Sequence, residues 1–397
     1  MGDAIQQLLT HSVETVIERE HLEKRLRAGT PLRVKHGIDP TGPKIHLGRA
    51  VVLWKLREFQ DLGHHVVLIV GDYTAQIGDA SDKTQRRAPL TTKQVQENLK
   101  GYLDQIAKII DVAKAEVRYN SEWLAKLDGQ DLVALAREFT VYQMLARRNF
   151  KDRFDGGREI GLDEFLYPLF QGYDSVAVKA DVEIGGSDQL FNLTAGRKIQ
   201  EHFGQPPQDI LTTKMLIGLD GRKMSTSWGN VVNITDSPTD QFGKLMSLRD
   251  DLTPEYLELA SGLPASKVAE LTAALKAGTS PRDIKAQMAE AVVARYHGES
   301  AARRAAAEFS AVFGAGGFPE DAPPVAVSAR EQTALELVMA SGLAPSKSEA
   351  RRLIAQGAVE LDKSILRDAN ERVIVRSGSQ LRVGKHRFAK IVLADND

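Results

Sequence analysis

Apolar and polar positions between Leu32 and Val70 follow two different periods. Val34 and Ile38 frame a short extended run, Pro40 to Pro43 forbids regular structure, and apolar residues then recur at helical spacing through Val51, Val52, Leu53 and Leu56. Gly63 is placed to cap that helix, and His65-Val66-Val67-Leu68-Ile69-Val70 is the unbroken apolar run of a central parallel strand. The unit reads as strand, helix, strand. Thr91 to Ile110 repeats the helical spacing at Val95, Leu99, Leu103, Ile106 and Ile110, and Glu116 to Asn120 reads as the next strand. This alternation predicts an α/β fold with a doubly wound parallel sheet, whose ligand lies at the carboxyl ends of the strands.

Past residue 230 the pattern changes. Pro238 to Phe313 is mostly helical, with Ser280-Pro281-Arg282-Asp283 marking one N-terminus and a basic, alanine-rich helix around Arg295 to Arg304. Gly314 to Ser328, with its glycines and Pro319, Pro323 and Pro324, reads as a linker. Ala344 to Ile354 then makes a capped basic helix, followed by short strands at Ala358 to Leu361, Arg372 to Val375 and Gln380 to Val383. The expected division is residues 1–230, a helical domain at 231–313, a linker at 314–328 and a small α+β domain at 329–397.

Composition narrows the chemistry. The 397 residues are 42% hydrophobic and 26% charged, enough for two or three ordinary cores. No apolar run is long enough to span a bilayer and no charged-then-apolar signal opens the chain, which predicts a cytoplasmic protein without a membrane partner. With no cysteine there is no disulfide framework, thiolate metal site or cysteine nucleophile. At a net charge of −1, any nucleic-acid contact must come from local patches.

Four stretches at strand ends carry candidate chemistry. His46-Leu47-Gly48-Arg49 opens a helix, whose first N–H groups favour an anion, with His46 and Arg49 on one side of the first turn and Gly48 open to a flat base. A histidine capping an ordinary helix explains the same four letters. Gly71-Asp72-Tyr73-Thr74 leads through Gly78 and Asp79 to Lys83, Arg86 and Arg87, either a basic loop that closes over phosphates or a solvated surface loop. Ile184-Gly185-Gly186-Ser187-Asp188-Gln189 follows a strand and starts a helix; capping explains Ser187 or Asp188, though not both glycines. Gly221 to Ser227 reads as a flexible hairpin tip unless it has partners.

Taken together, HLGR at His46, GDASDK at Gly78, YPLFQGYDS at Tyr167, IGGSDQ at Ile184 and KMSTS at Lys223 have the order and spacing of the bacterial tyrosyl-tRNA synthetases, and the chain resembles that family over essentially its whole length. The resemblance implies a class I synthetase, with HIGH and KMSKS signatures bracketing a Rossmann-like domain. It also implies activation of L-tyrosine by ATP to tyrosyl-adenylate and pyrophosphate, then transfer to the 3′ end of tRNA(Tyr). By the same resemblance Thr41 and His46 contact the pyrophosphate portion, Arg49 stands in for the second HIGH histidine, and Lys83, Arg87 and Lys223 are mobile cations. Gly48 supports the adenine, Asp188 the ribose, and Asp39, Gly186, Met224 and Ser225 complete the ATP site. Mg²⁺ would accompany ATP, held by phosphate oxygens, with no protein metal site and no tightly bound cofactor.

Tyr167, Gln171 and Asp174 stand at i, i+4 and i+7 and so share a helical face, with Pro168 either starting that helix or kinking it. The resemblance makes this face a tyrosine pocket: Asp174 meets the phenol hydroxyl, Asp79 the amino group, Tyr167 and Gln171 the ammonium, and Gly37, Asn120 and Gln189 complete it. The C-terminal part resembles an S4 RNA-binding domain, with Lys347, Arg351, Arg352, Arg382, Lys385 and Arg387 tracking phosphate. A C2 homodimer is the family's default. The chain departs from the family at Arg49, at Thr226 in place of the second KMSKS lysine, in GDASDK for GDPSGK, and at Lys35 where many members place a tyrosine near the phenol. Two rival readings are a small-molecule nucleotidyltransferase, which needs no pocket helix or tail, and an RNA-binding protein on a decayed synthetase scaffold. Tryptophanyl-tRNA synthetases, the nearest relatives, are disfavoured by the tail and by the Tyr167 to Asp174 face.

Overall fold

The structure is a computed structural model that describes residues 2–79, 90–314, 318, 322–384 and 387–393. Lys83, Arg87 and Lys385 lie outside these residues. The chain forms two compact units, residues 1–302 and 303–397.

In the first unit, β1 (Val13–Ile17), β2 (Arg33–Ile38), β3 (His65–Val70), β4 (Glu116–Tyr119), β5 (Val182–Gly186) and β6 (Asp209–Thr213) form one sheet in the order β1-β6-β5-β2-β3-β4. Five strands are parallel, and β1 closes the β6 edge antiparallel. The chain winds outward from β2 through β3 to β4, then returns to β5 on the other side of β2. Strand order reverses between β2 and β5, and the crevice beyond their carboxyl ends is where ligands bind in such sheets.

Local chemistry explains the elements. The helix Leu47–Asp61 buries Leu47, Ala50, Leu53, Leu56 and Phe59 against the sheet, and Gly63 follows it at a φ of 86°. The expected single helix over Thr91 to Ile110 is instead two, Thr92–Leu99 and Tyr102–Ile106, because Gly101 adopts a φ of 69° between them. The pocket helix runs Leu162–Val178. Pro168 therefore sits inside it rather than in its first turn, which excludes one of the two expected placements. β6 is buried throughout, yet its sequence Asp-Ile-Leu-Thr-Thr does not announce a buried strand. Asp209 is tolerated there because His21 Nδ1 at 2.8 Å and Arg25 Nη1 at 3.4 Å meet its carboxylate.

Helices Pro238–Met246, Thr253–Leu259, Ala265–Lys276 and Pro281–His297 pack within this same unit. Trp54 Nε1 donates to the Tyr296 hydroxyl at 2.9 Å, and the Arg295 guanidinium lies 3.6 Å from the centre of the Trp54 ring. The basic helix expected across Arg295 to Arg304 is interrupted at Gly298, whose φ is 84°, and a new helix starts at Glu299.

The second unit holds a five-stranded and a two-stranded sheet. Its strands are β7 (Pro324–Val327), β8 (Glu331–Thr333), β9 (Val359–Leu361), β10 (Ser364–Leu366), β11 (Arg372–Ile374), β12 (Gln380–Val383) and β13 (Arg387–Leu393). Helices Ala334–Ala340 and Lys347–Ala355 pack on a core that includes Leu337, Val338, Ile354, Leu381 and Ile391. Residues 324–327, expected as the end of a linker, pair in parallel with β13, so only tertiary pairing reveals them as a strand.

Candidate functional site

A cavity of about 830 Å³ opens beyond the carboxyl ends of β2 and β5. It brings together Gly37, Asp39, Thr41, His46, Gly48, Arg49, Asp79, Asn120, Tyr167, Gln171, Asp174, Gly186, Asp188, Gln189, Lys223, Met224 and Ser225. Every described residue that the sequence placed in the catalytic, ATP or tyrosine sites lines this one space.

At the helix start, Ile45 is fully buried and the segment after the second signature buttresses it: Leu47 N donates to Val232 O at 2.8 Å and Ile234 N to Ile45 O at 2.9 Å. The Leu47 amide is thus occupied by protein, and Gly48 N reaches only the Met224 sulfur at 3.4 Å, a weak acceptor. An anion held here would therefore rely less on the first-turn amides than the sequence suggests, and more on side chains. His46 is pushed down to about 3 by burial first, then by Arg49 and Lys223, so its imidazole is neutral at physiological pH. Arg49 donates to Thr41 Oγ1 at 2.5 Å, to the Tyr102 hydroxyl at 2.7 Å and to Asp39 O at 3.2 Å. Across the cleft, Lys223 Nζ meets Asp188 Oδ2 at 3.0 Å, so the two signatures and the IGGSDQ turn converge.

A second network lines the other end. Asn120 Nδ2 donates to Thr74 Oγ1 at 3.0 Å, Thr74 Oγ1 to Asp39 Oδ1 at 2.8 Å, and the Tyr167 hydroxyl to Asp39 Oδ2 at 2.9 Å. Burial raises Asp39 to about 6 despite these donors. A side chain at Gly71 would overlap Asp39 Oδ1, so the glycine admits the carboxylate. Asp174 accepts from Trp123 Nε1 at 2.7 Å and Asn120 Nδ2 at 3.3 Å, and burial pushes it up to about 7. Gln189 Nε2 donates to Asp79 Oδ2 at 2.7 Å.

Sequence reasoning passed over Trp123 and Tyr102, and gave Thr74 a place in a candidate loop without its role on Asp39. A partial signal existed for Trp123: it lies three residues after Asn120, and an indole N–H near a buried strand end needs an acceptor. In the second unit Lys347, Arg351 and Arg352 are exposed on one helix. Arg382 and Arg387, expected on the same phosphate-tracking face, are engaged within the protein. Arg382 donates to Gly384 O at 3.2 Å, and Arg387 to Leu343 O at 2.6 Å and Glu349 at 2.8 Å.

Residues 27–314 match the family described as tRNA synthetases class I (W and Y), and residues 335–375 match the S4 domain. The tyrosine-tRNA ligase of Desulfotalea psychrophila is 45% identical over 395 residues, covering 98% of each chain, and that of Thermotoga maritima is 45% identical, covering 97% and 96%. The chain belongs to the tyrosine-tRNA ligase family. Its fold is similar to that of the tyrosyl-tRNA synthetase complexed with L-tyrosine from Archaeoglobus fulgidus, at a TM-score of 0.62 and 21% identity over 77% of this chain and 99% of that one. A tryptophanyl-tRNA synthetase from Plasmodium falciparum shares the fold at a TM-score of 0.57 and 14% identity over 77% of this chain and 89% of that one. As a class I aminoacyl-tRNA synthetase the chain has its two signatures facing each other across one cavity, with Arg49 and Thr226 as its own variants of them.

Proposed function

We propose that this chain activates L-tyrosine with ATP, releasing pyrophosphate, and transfers the tyrosyl group to tRNA(Tyr). The observation that carries the reading is a single cavity with Asp174, a buried carboxylate flanked by the indole and amide donors of Trp123 and Asn120, at one end and His46, Arg49 and Lys223 at the other. A tyrosine carboxylate oxygen attacks the α-phosphorus and the bond to the bridging oxygen breaks, with the electron pair leaving on pyrophosphate. No protein nucleophile is needed, and the residues act by positioning and by meeting charge that grows on the phosphates.

In this reading Asp174 accepts the phenol hydrogen, while Asp79, Gln171, Gln189 and Tyr167 surround the ammonium. Asp188 takes the ribose once Lys223 turns to the phosphates. Lys83 and Arg87, outside the described residues, act as the further cations by family resemblance. Mg²⁺ arrives with ATP on its phosphate oxygens; the nearby Asp39 carboxylate already accepts from Thr74 and Tyr167. The exposed helix of Lys347, Arg351 and Arg352 contacts tRNA phosphate. Val133, Val141, Tyr142, Phe154 and Leu162 are exposed within one stretch of chain, and we read them as the contact of a homodimer. No helix among the described residues is long and apolar enough to cross a membrane, and we place the reaction in the cytoplasm, where tRNA is charged.

Pyrophosphate exchange across all twenty amino acids tests the reading. Exchange with tyrosine alone is expected; exchange with tryptophan, or with none, overturns it.

A further inference from the structure

By the family resemblance Lys35 stands where many members place a tyrosine near the phenol, and it lies outside the cavity lining. Its side chain is fully buried beneath the pocket helix, with Nζ 2.8 Å from Gln171 O, 2.7 Å from Ser175 Oγ and 2.9 Å from Glu183 Oε1. Gln171 and Ser175 lie on either side of Asp174 along that helix. Glu183, equally buried, accepts from Gln208 Nε2 at 2.5 Å, Gln171 Nε2 at 3.1 Å and Ser175 Oγ at 3.2 Å. A cation from β2 and an anion from β5 thus grip the same turn of helix from below, and that turn carries the carboxylate meant for the substrate hydroxyl.

We propose that Lys35 and Glu183 are opposed positioning residues, which fix the turn carrying Asp174 and, by their opposite charges, set how fully Asp174 is ionised when it meets the tyrosine hydroxyl. The proposal rests on the reading of Asp174 as the hydroxyl acceptor. Among the described residues, the charged and titratable groups facing Asp174 are Lys35 from β2, Glu183 from β5 and the Tyr167 hydroxyl from its own helix; Trp123 and Asn120 face it as neutral donors. Burial raises Asp174, Lys35 opposes that rise, and Glu183 adds to it. The two partners therefore pull in opposite directions, whereas loss of helix packing alone pulls in one.

The test is the ratio of kcat/KM for tyrosine to that for phenylalanine, measured by pyrophosphate exchange in the full-length protein from pH 5.5 to 9. Groups that titrate identically with both substrates, including His46, Asp39 and the substrate ammonium, cancel in this ratio. An ionised Asp174 gives the larger ratio, because phenylalanine then strands a buried charge. The midpoint of the ratio is expected to move up by about one pH unit in Lys35→Met and down by a similar amount in Glu183→Gln. Shifts in the same direction, or none, overturn the proposal. Should Lys35→Met fail to fold, the nearly isosteric Glu183→Gln decides by itself: a lowered midpoint supports the opposed pair and an unmoved one refutes it. If the unmodified protein exchanges with tyrosine but the variants leave the midpoint in place, the inference alone fails. If the unmodified protein shows no tyrosine exchange, the parent reading fails instead.

Discussion

Replacing Arg49 by lysine separates charge from geometry at the residue where this chain departs from the HIGH signature. The guanidinium divides its donors: Nη1 serves the Tyr102 hydroxyl and Asp39 O, and Nη2 serves Thr41 Oγ1. Lysine keeps the charge but offers one ammonium on a flexible stem, which reaches the Nη1 partners and abandons Thr41. One hydrogen bond from a charged donor is worth about 1.5–3 kcal/mol. That Nη2 contact orients the Thr41 side chain in the cavity wall, on the phosphate side of the proposed site. Losing that orientation can cost no more than losing an oxyanion donor outright, about 2.7–4 kcal/mol of barrier. The exchange rate at saturating tyrosine and ATP should therefore fall about 10- to 150-fold in Arg49→Lys, with tyrosine KM changed less than about threefold. Thr41→Val should produce a similar loss, and the double variant little more, because the two residues act as a unit. An unchanged rate in Arg49→Lys, full additivity with Thr41→Val, or an equal loss of tyrosine affinity would refute the reasoning.

Gly71→Ala places a methyl group on Asp39 Oδ1 and 2.5 Å from Thr74 Oγ1, so the network through Asp39 must shift; exchange activity should drop at least tenfold and stability by about 1–3 kcal/mol in a thermal melt, and a normal melt with normal activity would exclude this packing. Asp174 has a folded pKa raised from 3.8 to about 7, so the folded state binds the extra proton and the associated stability, complete below pH 4, is lost as pH rises through 7. Tm should consequently fall from about pH 4.5 to 7.5 in the unmodified protein more steeply than in Asp174→Asn, and parallel Tm curves would contradict the burial argument. His36 titrates with the opposite sign: burial lowers it to about 4, so its contribution is lost as pH falls from 6.5 through 4, and His36→Gln should flatten the acid side of the same curve. Reversing Lys347, Arg351 and Arg352 to glutamate should leave pyrophosphate exchange intact while tRNA charging weakens and its salt slope falls by about one per lost phosphate contact; charging with an unchanged slope would remove this helix from the RNA face.

Periodicity and punctuation determined the central fold from sequence. The apolar run His65 to Val70 and the helix opened at Leu47 are local patterns, and local patterns are legible because a strand or helix must bury one face whatever surrounds it, whereas Gly185 and Gly186, expected after the strand, continue β5. The signature loops were legible for a similar reason: their chemistry is carried by short stretches, and their order along the chain follows the sheet that presents them. One inner strand of the sheet was not legible. β6 reads as Asp-Ile-Leu-Thr-Thr, and its buried Asp209 is accommodated because Arg25 and His21, far away in sequence, meet its carboxylate. The same holds for Pro324–Val327, which is a strand only because β13 offers it a parallel partner.

The site divided in the same way. Which residues line the cavity followed from motif and helical spacing, but what holds them did not. Trp123 on Asp174, Tyr102 on Arg49, Thr74 on Asp39 and Lys35 beneath the pocket helix are pairings between segments that no spacing rule connects. Their energies depend on burial, since a carboxylate or ammonium removed from water must find partners within about 3 Å wherever in the chain they lie. Sequence by itself therefore determined which chemistry this protein carries, whereas tertiary structure decided the burial that raises Asp39 and Asp174, the pairing of Arg49 with Thr41 and the company that Lys35 keeps.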